Sequence, residues 1–280
     1  QGTSMDALMR ASRPTSILKW AFLILIALYF AVPMLAMARF AFQNVPMVLL
    51  TSDTMLTGWS ISGLWAALSN PKVLSATWIS LWIAVFAIAM NFLLLVPLAI
   101  VTEVRSPRMR PVLTALTLVP WVVPPVALVV GVSAPFRAAA PWFLANTLCL
   151  VPFYALWAMP FTYRVLDNGL QAMSARTLFE AARGLGAPLW TVIFRVILPN
   201  MRAALVAAAM LTTALVLGEY AFASLLLKST LPTQMLVYAG SDPRGGLALA
   251  LFVMIVTALC LGIVVRLMRK RGVSLPTTGF

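Results

Sequence analysis

The sequence predicts an all-α integral membrane protein, and three observations lead to that prediction. Hydrophobic residues make up 62% of the 280 residues and charged residues only 10%, whereas soluble domains carry about a quarter charged residues. Long apolar runs recur along the chain and lack the alternation of period two that marks strands of a membrane β-barrel. Because lipid cannot hydrogen-bond bare peptide groups, such runs must be helical.

Six apolar runs are long enough to span a bilayer, which takes about 20 helical residues. Pro120, Pro124 and Pro125 break the third run, and each proline is expected to kink or interrupt its helix. The six predicted spans cover residues 18–38, 74–101, 112–132, 142–163, 203–227 and 247–267.

The basic residues predict which side of the membrane each loop occupies, because cytoplasmic loops carry an excess of Lys and Arg. Of the 20 basic residues, fifteen lie at the N-terminus, after the second and fourth runs, and after the sixth. This bias places both termini and the loop at about 167–202 in the cytoplasm. Anionic lipid explains the net charge of +13, so no nucleic-acid partner is needed. The other five basic residues are Arg39, Lys72, Arg137, Lys228 and Arg244.

The same pattern predicts a single domain. Residues 1–4 precede the first methionine and are interpreted as a cloning or protease-site remnant. Residues 5–271 are predicted to form one transmembrane domain, and residues 272–280 a cytoplasmic tail. Cys149 and Cys260 both lie in apolar runs, where we expect buried, unreactive side chains.

The loop between the fourth and fifth runs predicts two short helices joined by glycines. Ser174 can cap a first helix over residues 175–183, and Gly184 and Gly186 can end it. Pro188 suits the first turn of a second helix. We call this element, residues 174–199, the knob. The second helix would carry an apolar stripe at i, i+3, i+4 and i+7, formed by Trp190, Ile193, Phe194 and Ile197.

The spacing within the knob resembles the Glu-Ala-Ala signature of permease subunits in bacterial binding-protein-dependent ABC importers. Glu180-Ala181-Ala182 is followed by three residues, Gly186, and eleven residues before Leu198-Pro199; Val196 stands where the signature has Ile. The resemblance implies that the knob docks on a separate ATPase subunit and moves with it. From the residues alone, an amphipathic helix resting on lipid is the alternative. The predicted coupling residues are Glu180, Ala181, Ala182, Gly184, Gly186, Leu198 and Pro199.

Other segments between about residues 17 and 271 resemble the same family. Residues 59–65 resemble the short external helix of polyamine-type permeases, and residues 119–125 resemble their proline-rich third span. Gly218-Glu219-Tyr220 resembles a step in permeases for polyamines, iron(III) and organophosphonates. These similarities imply the type I ABC importer permease fold, with six transmembrane helices and both termini cytoplasmic.

Five residues are candidates for a translocation pathway: Trp121, Pro124, Pro125, Glu219 and Tyr220. Glu219 lies in an apolar run, where an ionised carboxylate costs a few kcal/mol, so it should face a cavity or a partner. It either meets a cationic substrate or is a helix-packing group that bonds across the subunit interface. The prolines either open a broken helix along the substrate path or kink a helix for packing. Both alternatives stay open.

The resemblance implies a multi-pass permease subunit of the bacterial inner membrane that forms half of an importer's pathway. Its implied partners are a second permease subunit, two ATPase subunits, an external substrate-binding protein and the lipid bilayer. The expected substrate is a small solute, first a polyamine, with organophosphonate or iron(III) as alternatives. A gradient-driven secondary carrier and a non-transporting scaffold protein are alternatives from other classes.

No catalytic, cofactor-binding or metal-binding residue is predicted in this chain. The sequence has no histidine and no Gly-x-x-x-x-Gly-Lys-Ser/Thr loop, so it cannot cradle ATP phosphates in the usual way. ATP and Mg are therefore expected on the partner ATPase subunits, and this chain is not expected to be an enzyme.

Overall fold

The computed structural model describes residues 13–45 and 57–270, with side chains from residue 18 to residue 266. Within these ranges the helices are joined by turns and short loops, and the one β feature is an isolated antiparallel bridge between Gln43 and Trp59. The all-α prediction is confirmed. The predicted remnant at residues 1–4 and the tail at residues 272–280 lie outside the described residues.

The described helices vary from three-residue turns to a 35-residue helix. Two 3-10 turns, Pro107–Met109 and Thr147–Cys149, and a π-helical stretch, Val192–Ile197, lie between them. The α-helices are α1 (Arg13–Phe42), α2 (Ser62–Leu68), α3 (Pro71–Arg105), α4 (Arg110–Val122), α5 (Pro125–Ala139), α6 (Pro141–Ala145), α7 (Leu150–Ala172), α8 (Ala175–Gly184), α9 (Leu189–Thr191), α10 (Leu198–Asn200), α11 (Arg202–Gly218), α12 (Ala221–Leu225), α13 (Leu231–Ser241) and α14 (Pro243–Lys270).

By length and composition, three helices of the described chain can cross a membrane: Leu18–Phe42, Pro71–Arg105 and Pro243–Arg266. The number rises to five if each of two bent pairs is one span. The pair Pro107–Val122 and Pro125–Ala139 is bent by 86°, and the pair Leu189–Asn200 and Arg202–Gly218 by 66°. The 23-residue helix α7 is not among these spans. Six spans and cytoplasmic termini therefore stay predictions.

The third predicted run is interrupted at one place. α4 ends at Val122 and α5 begins at Pro125, and Val123 between them has extended backbone (φ −86°, ψ 121°). A proline disfavours helical backbone at the residue before it, which explains why Val123 leaves the helix. Of the three prolines expected to kink or interrupt the run, Pro120 does not interrupt it, because it stays inside α4. Prolines are tolerated within membrane helices when the freed backbone groups find other partners.

The fourth and fifth predicted runs are also interrupted. The fourth begins as the five-residue α6 and a 3-10 turn, in which Asn146 Oδ1 accepts from Leu148 N at 2.9 Å. The fifth is not one helix over 203–227, because α11 ends at Gly218 and Glu219 has extended backbone (φ −84°, ψ 120°). No proline lies at the break at Glu219, so the sequence pattern alone did not predict it.

The chain forms two compact units. Among the described residues, the smaller unit consists of 13–45, 57–67 and 238–251 and has a core of Ala41, Ala248 and Leu251. The short helix predicted over residues 59–65 is observed as α2, Ser62–Leu68, most of which lies in this unit.

Among the described residues, the larger unit consists of 68–237 and 252–270 and is built on α3, α7 and α11, which pack against one another. A hydrogen bond between the Thr162 and Thr212 hydroxyls, 2.9 Å long and fully buried, joins α7 to α11. Cys149 is buried as expected, whereas Cys260 is exposed.

Candidate functional site

The knob is anchored to the ends of two long helices of the larger unit. Ala175, Val192 and Ile197 are fully buried in a cluster that also contains residues near the C-terminal ends of α3 and α7. Leu178, Phe179 and Ala182 of α8 pack against the same cluster. A rotation of the knob must therefore also move these helix ends. The residues supplied by α3 and α7 are Leu95, Val96, Ala99, Ile100, Tyr163, Leu166 and Leu170.

Ser174 does not cap α8 as predicted. Its backbone is left-handed (φ 50°, ψ 51°), and its side chain makes no capping hydrogen bond. An N-cap side chain reaches the first amides of a helix from an extended backbone, which Ser174 does not have. The chain instead reverses from α7 to α8 through a tight turn in which Ser174 N donates to Gln171 O at 2.9 Å.

The predicted end of α8 is observed at the glycines. Gly186 N donates to Arg183 O at 2.9 Å, and Ala187 N donates to Ala182 O at 3.1 Å. This pair of bonds is the Schellman motif, in which the residue after the cap is left-handed and is usually glycine. Gly186 is that residue, with φ +82°. Gly184 is still helical, so of the two glycines only Gly186 sets the bend.

The second half of the knob is not the α-helix that the apolar stripe predicted. After the short α9, residues Val192–Ile197 are π-helical, and Leu198 N donates to Ile193 O, five residues earlier. Val192 and Ile197, also five apart, are both fully buried, as the wider π turn requires. Trp190 and Phe194 instead stack on each other at 5.6 Å, with both rings exposed. The predicted stripe is therefore split between an inner and an outer face.

The outer face of the knob carries an apolar surface. Leu185, at the tip, is 90% exposed, Trp190 is 70% exposed, and Phe194 and Leu189 are also exposed. Monomeric soluble surfaces rarely gather large apolar side chains in this way unless they bind something. The exposed apolar residues are Leu185, Leu189, Trp190 and Phe194, which we call the knob tip.

Charged and small residues lie beside the knob tip. Arg176 Nε donates to Glu180 Oε1 at 2.8 Å, and both side chains are exposed. The hydrogen bond and the charge of Glu180 raise the pKa of Arg176 above its ordinary value. Ala181 faces outward, whereas Ala182 faces the core. Of the predicted coupling residues, Glu180, Ala181, Gly184, Gly186 and Pro199 are exposed, and Ala182 and Leu198 are partly buried.

A charged cluster that the sequence analysis did not identify ties together the helices beneath the knob. Arg110, at the start of α4, bonds to Glu103 of α3 and lies 3.1 Å from Asp167 of α7. Gln171 Nε2 donates to the other Asp167 oxygen at 2.7 Å. Glu103 and Asp167 are largely buried, so their charges need this partner. The sequence did contain an indication of this cluster, because Glu103 and Asp167 both lie next to predicted span ends, where an unpaired carboxylate is costly.

Glu219 caps the helix that restarts after it. Its carboxylate accepts from Ala221 N at 2.8 Å and from Phe222 N at 3.2 Å, which stabilises the first turn of α12. Glu219 is only 8% exposed, and the Tyr154 hydroxyl donates to its backbone carbonyl at 3.3 Å. Its carboxylate is thus partnered within its own segment, an arrangement that neither sequence alternative included.

The other pathway candidates lie at the two helix breaks. Trp121 stacks on Trp157 at 4.3 Å, and its indole N donates to the Trp157 carbonyl at 2.8 Å. Trp157 also meets Phe222 edge-to-face at 5.8 Å. An aromatic chain thus links the end of α4 to the turn that Glu219 caps, and α12 packs on α5, which begins at Pro125. Tyr220 is exposed.

Comparison with a protein-family profile identifies residues 95–272 as matching the binding-protein-dependent transport system inner membrane component family. This range contains the knob, the charged cluster and both helix breaks.

Curated relatives cover different shares of the chain. The molybdenum transport system permease protein ModB of Mycobacterium bovis is 28% identical over 264 residues, covering 88% of this chain and 93% of that protein. The sulfate transport system permease protein CysW of Escherichia coli is 31% identical over 173 residues, covering 57% of this chain and 58% of that protein. The probable D-methionine transport system permease protein MetI of Vibrio cholerae is 27% identical over 143 residues, covering 49% of this chain and 63% of that protein.

One solved structure similar to this chain belongs to a bacterial ABC transporter involved in the import of the acidic polysaccharide alginate. The TM-score is 0.59 at 18% identity, and the alignment covers 93% of this chain and 97% of that one. At this identity the likeness concerns the fold alone.

Proposed function

This chain belongs to the family of binding-protein-dependent transport system inner membrane components, and on that premise we propose that it is a permease subunit of an ATP-driven importer. The observation that carries the proposal is the knob tip, an exposed apolar surface on an element whose other face is buried. We place ATP hydrolysis and its Mg on separate subunits and assign no cofactor to this chain.

Docking on an ATPase subunit accounts for the knob better than resting on lipid does. A lipid-bound amphipathic helix needs one continuous apolar face, whereas the π-helical stretch turns Val192 and Ile197 inward and leaves Trp190 and Phe194 outward. Buried aromatic side chains are common centres of binding energy in protein interfaces. Glu180 and Ala181 border this surface, so a partner can meet an acid and a closely approachable backbone there.

The proposed assembly contains a second permease subunit, two ATPase subunits and an external substrate-binding protein, in a bacterial inner membrane. Native mass measurement of the detergent-extracted complex tests it. We expect this chain to be accompanied by two copies of an ATPase and one further permease chain. An active transporter containing this chain without any ATPase would refute the proposal and favour a gradient-driven carrier.

The substrate is proposed only as a small solute. The sequence motifs favour a polyamine, but the relatives compared are named for molybdenum, sulfate and D-methionine transport, and none is named for a polyamine. Glu219, the acid that could select a cation, already accepts hydrogen bonds from the backbone amides of Ala221 and Phe222. Uptake into proteoliposomes loaded with ATP, compared among spermidine, sulfate, molybdate and methionine, separates these classes.

Glu219→Gln tests whether this acid belongs to the pathway. The change keeps one acceptor oxygen for the α12 amides while removing the charge. If Glu219 meets a cationic substrate, we expect uptake to fall at least tenfold while complex yield and basal ATP hydrolysis stay near normal. Measured rates of uptake and ATP hydrolysis on the same preparation decide this.

Glu219→Ala is the companion variant, because it removes the cap as well as the charge. Glu219 precedes the N-cap residue Tyr220, but its carboxylate satisfies the same first amides that an N-cap side chain does, and losing such a side chain costs about 1 kcal/mol. Reduced thermal stability in the Ala variant alone would therefore report this bonding. Normal uptake in a well-assembled Gln variant would assign Glu219 to structure and remove it from the pathway.

A further inference from the structure

The smaller unit contains a cavity bordered by two arginines. It is formed by the last turns of α1, the residues that follow it and the start of α14. Its walls combine apolar surface with two guanidinium groups and one buried amide. The lining residues are Ala36, Arg39, Phe40, Gln43, Val45 and Arg244.

Two consecutive amide side chains hold the two guanidinium groups. Arg39 Nε donates to Gln43 Oε1 at 2.8 Å, and Arg244 Nη1 donates to Asn44 Oδ1 at 3.1 Å. Gln43 is itself fixed, since it is 2% exposed and its amide N donates to the Thr57 carbonyl at 2.9 Å. The Arg244 guanidinium also lies 6.0 Å from the centre of the Phe40 ring. Both arginines are therefore positioned by neutral groups.

No acid neutralises these charges within the described chain. Neither arginine makes an ion pair among residues 13–45 and 57–270. Asp242, the acid nearest to Arg244 in sequence, instead caps α14, with its Oδ1 accepting from Gly245 N at 3.0 Å. Like charges in one partly enclosed cavity repel each other, and an anion between them removes that cost.

Membrane topology does not explain these arginines. Arg39 and Arg244 are two of the five basic residues on the side predicted to be external, where Lys and Arg are depleted. Each guanidinium has five N–H groups, and the described structure accounts for one hydrogen bond from each. The remaining N–H groups form planar forks suited to paired bonds with phosphate or sulfate oxygens.

We propose that Arg39 and Arg244 together bind one tetrahedral oxyanion. Its source is either the phosphate of a lipid headgroup or a free ion such as sulfate or phosphate. The apolar walls at Ala36, Phe40 and Val45 exclude water from the ion and leave room for the glycerol end of a lipid. The site lies wholly in the smaller unit and does not depend on the proposed transport function.

Two measurements on the purified membrane complex test the site and separate the two sources. Native mass spectrometry counts phosphatidylglycerol molecules that stay bound after extraction. Isothermal titration on delipidated protein measures the affinity for sulfate and for inorganic phosphate. We expect at least one of the two measurements to show one oxyanion bound per chain. In the Arg39→Gln, Arg244→Gln double variant, the amount of retained lipid or the affinity for the ion should fall at least tenfold.

Arg137→Gln is the matched control, because Arg137 is another basic residue on the predicted external side and lies outside this cavity. The Arg137→Gln variant should bind the oxyanion as the wild type does. The single Arg39→Lys and Arg244→Lys variants should lose part of the affinity, because lysine keeps the charge but lacks the paired N–H groups of a guanidinium. Lipid retention alone assigns a headgroup site, and titration alone assigns a free-ion site. Equal binding by the wild type and the double variant, or no binding by the wild type in either arm, overturns the proposal.

Discussion

Replacing Gly186 by Val should abolish most of the ATP hydrolysis that the binding protein stimulates, while the subunit still inserts in the membrane. Gly186 has φ +82°, a conformation that costs other L-residues about 1–2 kcal/mol and is an outlier for β-branched ones. The Schellman bonds at the end of α8 depend on that conformation. Because about 1.4 kcal/mol corresponds to a tenfold change in an equilibrium, we expect the population competent for docking to fall about tenfold or more.

Gly184→Val is the matched control, since it places the same side chain two residues earlier. Gly184 is helical, and at both glycines an added Cβ would meet open space. A steric clash within the subunit therefore cannot explain a difference between the two variants. Valine also has a higher helix propensity than glycine. ATPase retention during purification and stimulated hydrolysis in liposomes are the measurements. Equal behaviour of the two variants would show that backbone conformation at Gly186 is not what positions the knob.

Replacing Arg110 by Gln should lower the stability of the larger unit by about 3 kcal/mol, near the lower end of the range for breaking a buried ion pair. Arg110 is partly exposed, whereas Glu103 and Asp167 are largely buried, so the variant leaves two carboxylates without a cation. α3, α4 and α7 lose their shared contact at the same time. Thermal unfolding of the detergent-solubilised complex should show a clear fall in the midpoint.

Neutralising the acids separates charge from packing in this cluster. Arg110→Gln combined with Glu103→Gln and Asp167→Asn should recover part of the lost stability, because no unpaired charge remains. The comparison of the triple variant with Arg110→Gln is informative because Arg110 directly contacts both acids, and the effects of residues in contact are coupled. If the triple variant is no more stable than Arg110→Gln alone, the cluster acts through shape and not through charge.

The sequence predicted those parts of the fold that depend on composition and on glycine. The helical class follows from apolar runs in lipid, and the bend at Gly186 follows from the need for a left-handed residue after a helix. A break in the third run was predicted from its prolines, and it is observed beside Pro124. These features have local causes that one short stretch of sequence contains.

Other features depend on contacts that no local pattern contains. The break at Glu219 arises because a buried carboxylate bonds to the next amides, and the sequence at this position also permits a continuous helix. Arg110 and Asp167 are 57 residues apart, so their pairing exists only once α4 and α7 are packed. The apolar stripe in the knob was assigned a period of 3.6, whereas the observed burial at Val192 and Ile197 has a period of five.

The π-helical stretch at Val192–Ile197 determines where the chain can lose or gain a single residue in evolution. A π turn accommodates one more residue than an α turn in the same axial space, so the stretch has the geometry of an α-helix into which a single residue has been inserted. Losing one residue between 192 and 197 would restore α-helical hydrogen bonding without rotating the helix that follows. Homologues with a one-residue gap at this place can therefore keep the same arrangement of helices. A gap within α3 or α7 would turn every later side chain of that helix by about 100°, since an α-helix has 3.6 residues per turn.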